Sequence, residues 1–405
     1  MRVCVTHYAF HPTTGGVESH LIDLCAELVR QGHEVHALVG SVAGSPAQEI
    51  KEGVSVHRYD LLNIELVRAH KIAAGVDPNV AWPDLQRRVR SFYSEFVNQY
   101  GIDLVHAHNF HHFLPEYGLA LTELYDEGLA TALTIHEMWG EFICESLLEN
   151  TRWDSIIPVG EHVRLDLVRM APSVKNVRKI LHGINLDLFH PGVQENGLRE
   201  ELGLQGRRVI LHPARMLPWK GVHYSVEAMR QVVDRFPDAV LIVTDTNQII
   251  DWIQELGAYK SRVLSYIDLY GLKENVLAHS FDFFDLPQAY AVAEVVVYPT
   301  CGEEPFGLVP LEAMACGKPV VVSRSGGLVE SVLDGQTGYI IEKDDSDQLA
   351  ERIIRLMGDD SRRSVMGQAG RTHVEEHFSR ERMVREVVEE YDRGLIAARE
   401  RVHAG

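Results

Sequence analysis

The feature that most constrains this chain is the passage over residues 295–333, where an apolar run, a glycine turn and two helix starts follow one another closely. Val295-Val296-Val297-Tyr298-Pro299 is β-branched and closed by proline, the pattern of a parallel strand buried on both faces. Its C-terminal tip opens into TCGEEPFGLVPLEAMACGKPVVVSRSGGLVESVL, residues 300–333. Loops at such tips bind ligands in doubly wound sheets. Pro305-Phe306-Gly307 turns the chain into a helix over roughly 308–315. A glycine at that turn lets backbone N–H groups come close to an anion. At about 100° per residue, Leu308, Leu311 and Ala315 share the core-facing stripe and Glu312 sits on its shoulder, half buried and in need of donors. Glu304 precedes the helix at the loop mouth, where its carboxylate can accept hydrogen bonds from hydroxyls. The alternatives are a packed salt-bridge member at Glu312 and a solvated loop charge at Glu304.

With seven residues between them, as EPFGLVPLE, and followed by EAMACGKPVV and GGLVESV, Glu304 and Glu312 resemble the retaining glycosyltransferases of family four. That family has the GT-B fold: α/β, with two Rossmann-like doubly wound domains facing each other across a cleft. The resemblance implies a nucleoside-diphosphate sugar, UDP- or GDP-linked, as donor. It implies further that Glu304 contacts the donor hexose and Glu312 the ribose. The backbone through Pro305, Phe306, Gly307, Leu308 and Val309 is then expected near the sugar and pyrophosphate.

At 405 residues and 45% hydrophobic content the chain can fill two ordinary cores, so two domains are expected. The first is expected over 1–190 and the second over 191–379, with a last helix over about 380–405 assigned by resemblance to the first. No run reaches about 18 apolar residues, and the N-terminus MRVCVTHYAF lacks a signal-peptide pattern, so a cytoplasmic protein is expected. Cys4, Cys25, Cys144, Cys301 and Cys316 are odd in number and form no CxxC pair, which points to reduced thiols. A formal charge of −19 repels nucleic acid.

In the N-terminal half a strand over 2–6, a glycine-bearing loop, a helix and a second strand read as a βαβ unit. Gly15-Gly16 before that helix is either a tight turn or a second anion cradle, and the resemblance favours the cradle, facing the donor phosphate. Residues 60–100 lose clear alternation; there Arg87, Arg88 and Arg90 beside Trp82, Phe92 and Tyr93 read as a solvated helix face, or else as a patch for membrane or anionic acceptor. A strand over 102–106 leads into HAHNFHHF, with His106 and His108 on one side. That pair can bind a metal, but no Cys or carboxylate stands at ligand spacing, and hydrogen-bonding histidines at a strand tip fit better. His136 follows the strand over 131–135, and by resemblance it holds the transferring sugar. His20, His108, His111 and Glu137 are candidates for the acceptor side. Strands are also expected over 154–159 and 177–181, and His182-Gly183-Ile184-Asn185 stands where the family usually has Asn-Gly-Val-Asp at its hinge.

In the C-terminal half Arg215 and Lys220 follow the strand over 208–212 across a proline turn, so both can converge on one anion. They look like the family's diphosphate-binding pair, which makes Arg215, Lys220, Glu304 and His136 the expected catalytic residues. After the strand over 239–244 the family often has a glycine-rich turn; this chain has Asp245-Thr246-Asn247-Gln248. The acidic run over 343–347 imitates a metal motif but precedes an amphipathic helix, as caps do. No metal and no other cofactor is expected. Together these residues describe transfer of a hexose to an acceptor hydroxyl, on a small metabolite, a polysaccharide or a lipid-linked glycan. A nucleotide-sugar 2-epimerase of the same architecture, or a catalytically idle binding subunit, are the competing readings.

Overall fold

The structure, a computed structural model, describes the chain except residues 14, 113, 139–141, 245–252 and 405, together with the side chains of 142, 143, 253–256 and 404. The chain forms two compact units, Met1–Gly183 with Arg380–Gly405, and Ile184–Ser379. The division falls after Gly183 rather than at 190. Ile184 already belongs to the second unit, since its N–H donates to the Phe378 carbonyl at 2.8 Å and it bridges Ser379.

The first sheet has β1 (Arg2–His7), β2 (Glu34–Gly40), β3 (Gln48–Lys51), β4 (Val54–Tyr59), β5 (Leu104–His108), β6 (Ala130–Ile135) and β7 (Ser155–Pro158). Their spatial order is β3-β4-β2-β1-β5-β6-β7, parallel except for β3 against β4. The second sheet has β8 (Arg208–His212), β9 (Ala239–Thr244), β10 (Val276–His279), β11 (Val295–Tyr298), β12 (Val320–Ser323) and β13 (Gly338–Ile341), all parallel, in the order β10-β9-β8-β11-β12-β13. Strand order reverses between β1 and β5 in one sheet and between β8 and β11 in the other. Crevices at such switch points, outside the carboxyl ends of the strands, are where doubly wound sheets take ligands.

β11 is buried along its whole length because helices cover both sheet faces, which explains its unbroken apolar pattern. Its Val295 and Val297 share a core cluster with Ile210, Val226, Met229, Val321 and Ile353. Three local readings change. The strand expected at 177–181 is only an isolated bridge between Val177 and Ile156, and the short edge strand β3 was not expected, its exposed QEIK having no apolar alternation. β5 also runs two residues further than expected and carries His106 and His108 within the strand.

Residues 60–100 are mainly the helices Ile64–Ala73, capped by the Asn63 side chain, and Pro83–Tyr100, ended by left-handed Gly101. Arg87 pairs with Asp84, and Arg90 with Glu123 at 3.1 Å and with Glu127. Tyr93 points into the core, its hydroxyl 2.8 Å from Thr6 Oγ1. Arg87 and Arg90 thus have acidic partners while Arg88 is exposed, and Tyr93 and Phe96 are buried while Phe92 is half-buried. The last helix, Arg380–Ala404, lies on the first sheet, where the Tyr391 hydroxyl meets His106 Nδ1 at 2.7 Å and Glu390 accepts from Ser155 at 2.7 Å. No helix among the described residues is long and apolar enough to cross a membrane.

Among the described residues of the first unit one ion pair is fully buried: Lys71 Nζ donates to Glu116 Oε1 at 2.5 Å and to the Pro78 and Val80 carbonyls at 2.8 Å. Glu116 also accepts the Trp82 N–H at 2.9 Å, so the pair fixes the chain between two helices. Lys71→Met leaves the carboxylate buried without its cation and is expected to lower stability by about 3–5 kcal/mol in urea unfolding. A change below about 1 kcal/mol would show that the pair is not what holds this segment.

Candidate functional site

The second unit builds its site where β8 and β11 end. After β8 the chain makes a tight helical turn, Pro218–Lys220, and then Gly221 at φ +75°. A Cβ on Gly221 would lie 1.9 Å from the Pro299 carbonyl oxygen, so only glycine lets this turn rest on the tip of β11. Close approach allows the Trp219 carbonyl to accept from the Thr300 hydroxyl at 2.6 Å and from the N–H groups of Cys301 and Gly302 at 2.9 and 3.2 Å. The two loops are stitched together, and Lys220 is carried to Glu304.

Lys220 Nζ donates to Glu304 Oε2 and to the Tyr298 hydroxyl, and that hydroxyl donates to Glu304 Oε2, each at 2.7 Å. The Lys220 and Glu304 side chains are only 15% and 10% exposed, so the interaction is shielded from water. Glu304 is also fixed through its backbone. Its N–H donates to Ser325 Oγ at 2.9 Å, and its carbonyl accepts from the Gly327 N–H at 2.8 Å. The loop charge is therefore a built element of the site.

Gly307 has φ +86°, and a Cβ there would lie 2.5 Å from Leu328 Cδ2. The helix Leu308–Ala315 starts directly after it. Pro305, Leu308 and Val309 are partly exposed, whereas the Phe306 ring is buried 6.2 Å from that of Phe378. Glu312 is buried more deeply than a helix shoulder suggests, and the Tyr290 hydroxyl donates to it. Burial raises its carboxyl to about 7, opposed by that hydrogen bond. The Tyr298 phenol is pushed well above its ordinary value by burial, with Glu304 and Glu312 adding to the shift and Arg215 opposing it. The charges of Arg215, Glu304 and Glu312 are thus all felt at the Tyr298 hydroxyl, which Lys220 and Glu304 contact directly.

The first unit presents histidines at the corresponding edge of its own sheet. His108 ends β5 and His136 follows β6, with His108 Nδ1 at 2.9 Å from His136 Nε2. His20, on the helix Gly16–Arg30, has its ring 4.9 Å from that of His136 and 5.5 Å from that of His108. His182 stacks on His136 at 5.2 Å, a role that its reading as a replaced hinge residue did not anticipate. The Asn109 side chain accepts the His136 N–H at 2.9 Å. Burial lowers His20 and His106 to about 3 and His7 to about 4, and holds His108 and His136 well below the usual range, so the imidazoles are neutral. Both ring nitrogens of His20 and Nε2 of His108 have no hydrogen-bond partner among the described residues. His111 Nε2 meets the Glu137 carbonyl at 2.8 Å, and Glu137 Oε1 lies 3.4 Å from Asn109 Nδ2.

One nitrogen from each of His20, His108 and His136 falls within 4.8 Å of the others. Zinc bonds of about 2.0–2.1 Å to tetrahedral ligands hold nitrogens about 3.3 Å apart. The three imidazoles are therefore grouped closely enough to be candidate ligands, while as they stand His108 Nδ1 and His136 Nε2 are in hydrogen-bond contact at 2.9 Å. Gly15 and Gly16 are not demanded by the fold. A Cβ on Gly16 would meet nothing within 4 Å, and one on Gly15 only the Glu18 side chain. In the acidic run Asp345 accepts from the Gln348 N–H at 2.7 Å as a cap, and Lys343 pairs with Glu303. The departure at 245–248 lies outside the described residues.

Two family models match the chain, "Glycosyltransferase Family 4" over residues 14–188 and "Glycosyl transferases group 1" over 194–373. The chain is similar to D-inositol 3-phosphate glycosyltransferase of Corynebacterium diphtheriae, 28% identical over 89% of this chain and 85% of that one. It is 33% identical to a GDP-mannose-dependent alpha-(1-6)-phosphatidylinositol monomannoside mannosyltransferase of Mycolicibacterium smegmatis, over 47% of this chain and 49% of that one. Among solved structures, Anabaena HepE in complex with UDP-glucose superimposes with a TM-score of 0.72 at 20% identity, over 96% of this chain and 98% of that one. Matching family models on both units, on two parallel-sheet α/β folds of this topology, identify the chain as an enzyme, a glycosyltransferase belonging to family four with the GT-B fold.

Proposed function

We propose that the protein transfers a hexose from a UDP- or GDP-sugar to an acceptor hydroxyl, with retention of configuration and without a metal ion. The observation that carries this reading is the Lys220, Tyr298 and Glu304 cluster, with Arg215 beside it, at the switch point between β8 and β11. Departure of a nucleoside diphosphate builds negative charge on the leaving phosphate. Arg215 offers a forked donor, Lys220 a compact charge, and the helix start after Gly307 its free N–H groups. Donors held in place before the reaction stabilise that charge, the service a divalent cation otherwise supplies. Glu304 accepts from hexose hydroxyls and Glu312 from the ribose. Retention follows from attack on the same face, the leaving phosphate taking the acceptor proton.

On the first unit, His136 is assigned to the transferring sugar, and His20, His108, His111 and Glu137 to the acceptor side. Neutral imidazoles with unused ring nitrogens suit sugar hydroxyls, which both donate and accept. Gly15 and Gly16 are assigned to the donor phosphate. The names of the relatives support a nucleotide sugar as donor, through GDP-mannose in one and UDP-glucose in another. The acceptor is a small metabolite, a polysaccharide or a lipid-linked glycan. Five free cysteines fit a cytoplasmic site of action.

A panel of UDP- and GDP-hexoses is expected to contain one that raises the melting temperature; failure of every member would count against the donor class. Lys220→Ala and Glu304→Ala are each expected to cut kcat/KM by about a hundredfold or more with unchanged circular dichroism, and near-normal rates in both would overturn the assignment. Glu312 gives a pH test. Its carboxyl titrates higher when folded than the ordinary 4.5, so its contribution to stability is present below that value and is lost as pH rises through about 7. Glu312→Gln should therefore flatten the fall in stability between pH 5 and 8 while weakening nucleotide-sugar binding. An unchanged pH slope, or full affinity, would contradict the role given to this carboxylate.

A further inference from the structure

We propose that Tyr298 is a positioning residue, whose hydroxyl keeps Glu304 partnered while Lys220 turns from that carboxylate to the donor diphosphate. The proposal rests on the reading of Lys220 and Glu304 given above. Lys220 Nζ donates to Glu304 Oε2 at 2.7 Å, so the group assigned to phosphate contacts the group assigned to sugar. If Lys220 left a carboxylate only 10% exposed with nothing in its place, a buried anion would lose its donor, and binding would have to offset that loss. Tyr298 supplies the remaining donor. It lies 2.7 Å from the same Oε2 and also accepts from Lys220 at 2.7 Å, so it touches both ends of the exchange.

The residue is well placed for this. Tyr298 is the last residue of β11, 3% exposed, and its ring stands edge-on to that of His212 at the end of β8, with centroids 6.1 Å apart. Both strands that flank the switch point therefore hold the phenol in position. Burial keeps the hydroxyl protonated far above neutral pH, so it remains a donor throughout the working range. A strand buried on both faces ordinarily ends in an aliphatic side chain, and packing alone has no use for the hydroxyl. Glu312 has a matching arrangement, with the Tyr290 hydroxyl donating to it from the helix Leu286–Val292. Each carboxylate of the site thus carries its own buried phenol.

Tyr298→Phe keeps the ring and removes only the hydroxyl. The test measures the dissociation constant of UDP-glucose or GDP-mannose by calorimetry, whichever stabilises the wild-type protein, in Tyr298→Phe, Glu304→Gln and the double variant. Tyr298→Phe is expected to weaken binding about ten- to a hundredfold while the ligand-free melting temperature stays close to wild type. In the Glu304→Gln background, where no buried anion needs the donor, the same change is expected to cost about twofold or less. That non-additivity is a readout that loss of packing would not produce. If Tyr298→Phe binds within twofold of wild type, or loses the same factor in both backgrounds, the proposal is overturned. Should Tyr298→Phe alone fold poorly, Tyr298→Phe with Glu304→Gln against Glu304→Gln alone still decides it, because a large loss there contradicts the exchange. A wild-type loss of affinity in Lys220→Ala together with an unaffected Tyr298→Phe would remove this inference and leave the donor reading standing.

Discussion

The site in the second unit depends on a Cβ that is missing. Because Gly221 can lie against the Pro299 carbonyl, the turn after β8 reaches the loop after β11, and the Trp219 carbonyl can gather three donors from that loop. A lysine and a glutamate 84 positions apart then meet with their heads nearly dry. An interaction of this kind contributes little to net stability, since desolvation of both charges opposes their attraction. What it provides is placement: two groups of opposite sign, each fixed, at the edge of the sheet where an anionic ligand with hydroxyls is expected.

Much of this was legible in the residues because local chemistry and strand tips go together. The VVVYP run announced a buried strand, Gly307 a helix start of unusual backbone geometry, and Arg215 with Lys220 a pair of cations on one turn; each follows from rules acting over a few positions. What the local rules could not supply is what lies on top of a side chain. Glu312 read as half buried because a helical wheel gives its angle, but Tyr290, 22 positions away, closes over it. Tyr298 read as core because an unbroken apolar run describes the strand and says nothing of the loop that delivers Lys220 to its hydroxyl. His182 read as a hinge variant, and only the folded first unit stacks it on His136. Irregular backbone at 177–181 and the edge strand β3 escaped for the same reason, as both are fixed by a neighbouring strand and not by their own sequence.

The two units solve a common problem with different chemistry. Around β8 and β11 charge is concentrated, with cations and carboxylates in contact and phenols as auxiliary donors. Around β1, β5 and β6 charge is removed: burial leaves a group of imidazoles neutral, some with ring nitrogens unused. A charged edge suits a diphosphate, and a neutral hydrogen-bonding edge suits hydroxyls. That division matches a transferase, which must hold an anionic leaving group and an uncharged sugar.

Hydrogen–deuterium exchange of the wild-type protein, with and without UDP and GDP, tests the central claim most directly. The diphosphate is expected to slow exchange over residues 215–221 and 301–308, the backbone on either side of the Lys220 and Glu304 contact. If a nucleoside diphosphate binds and leaves both segments unprotected while others slow, the diphosphate lies elsewhere and the site assigned to this edge of the second sheet is wrong.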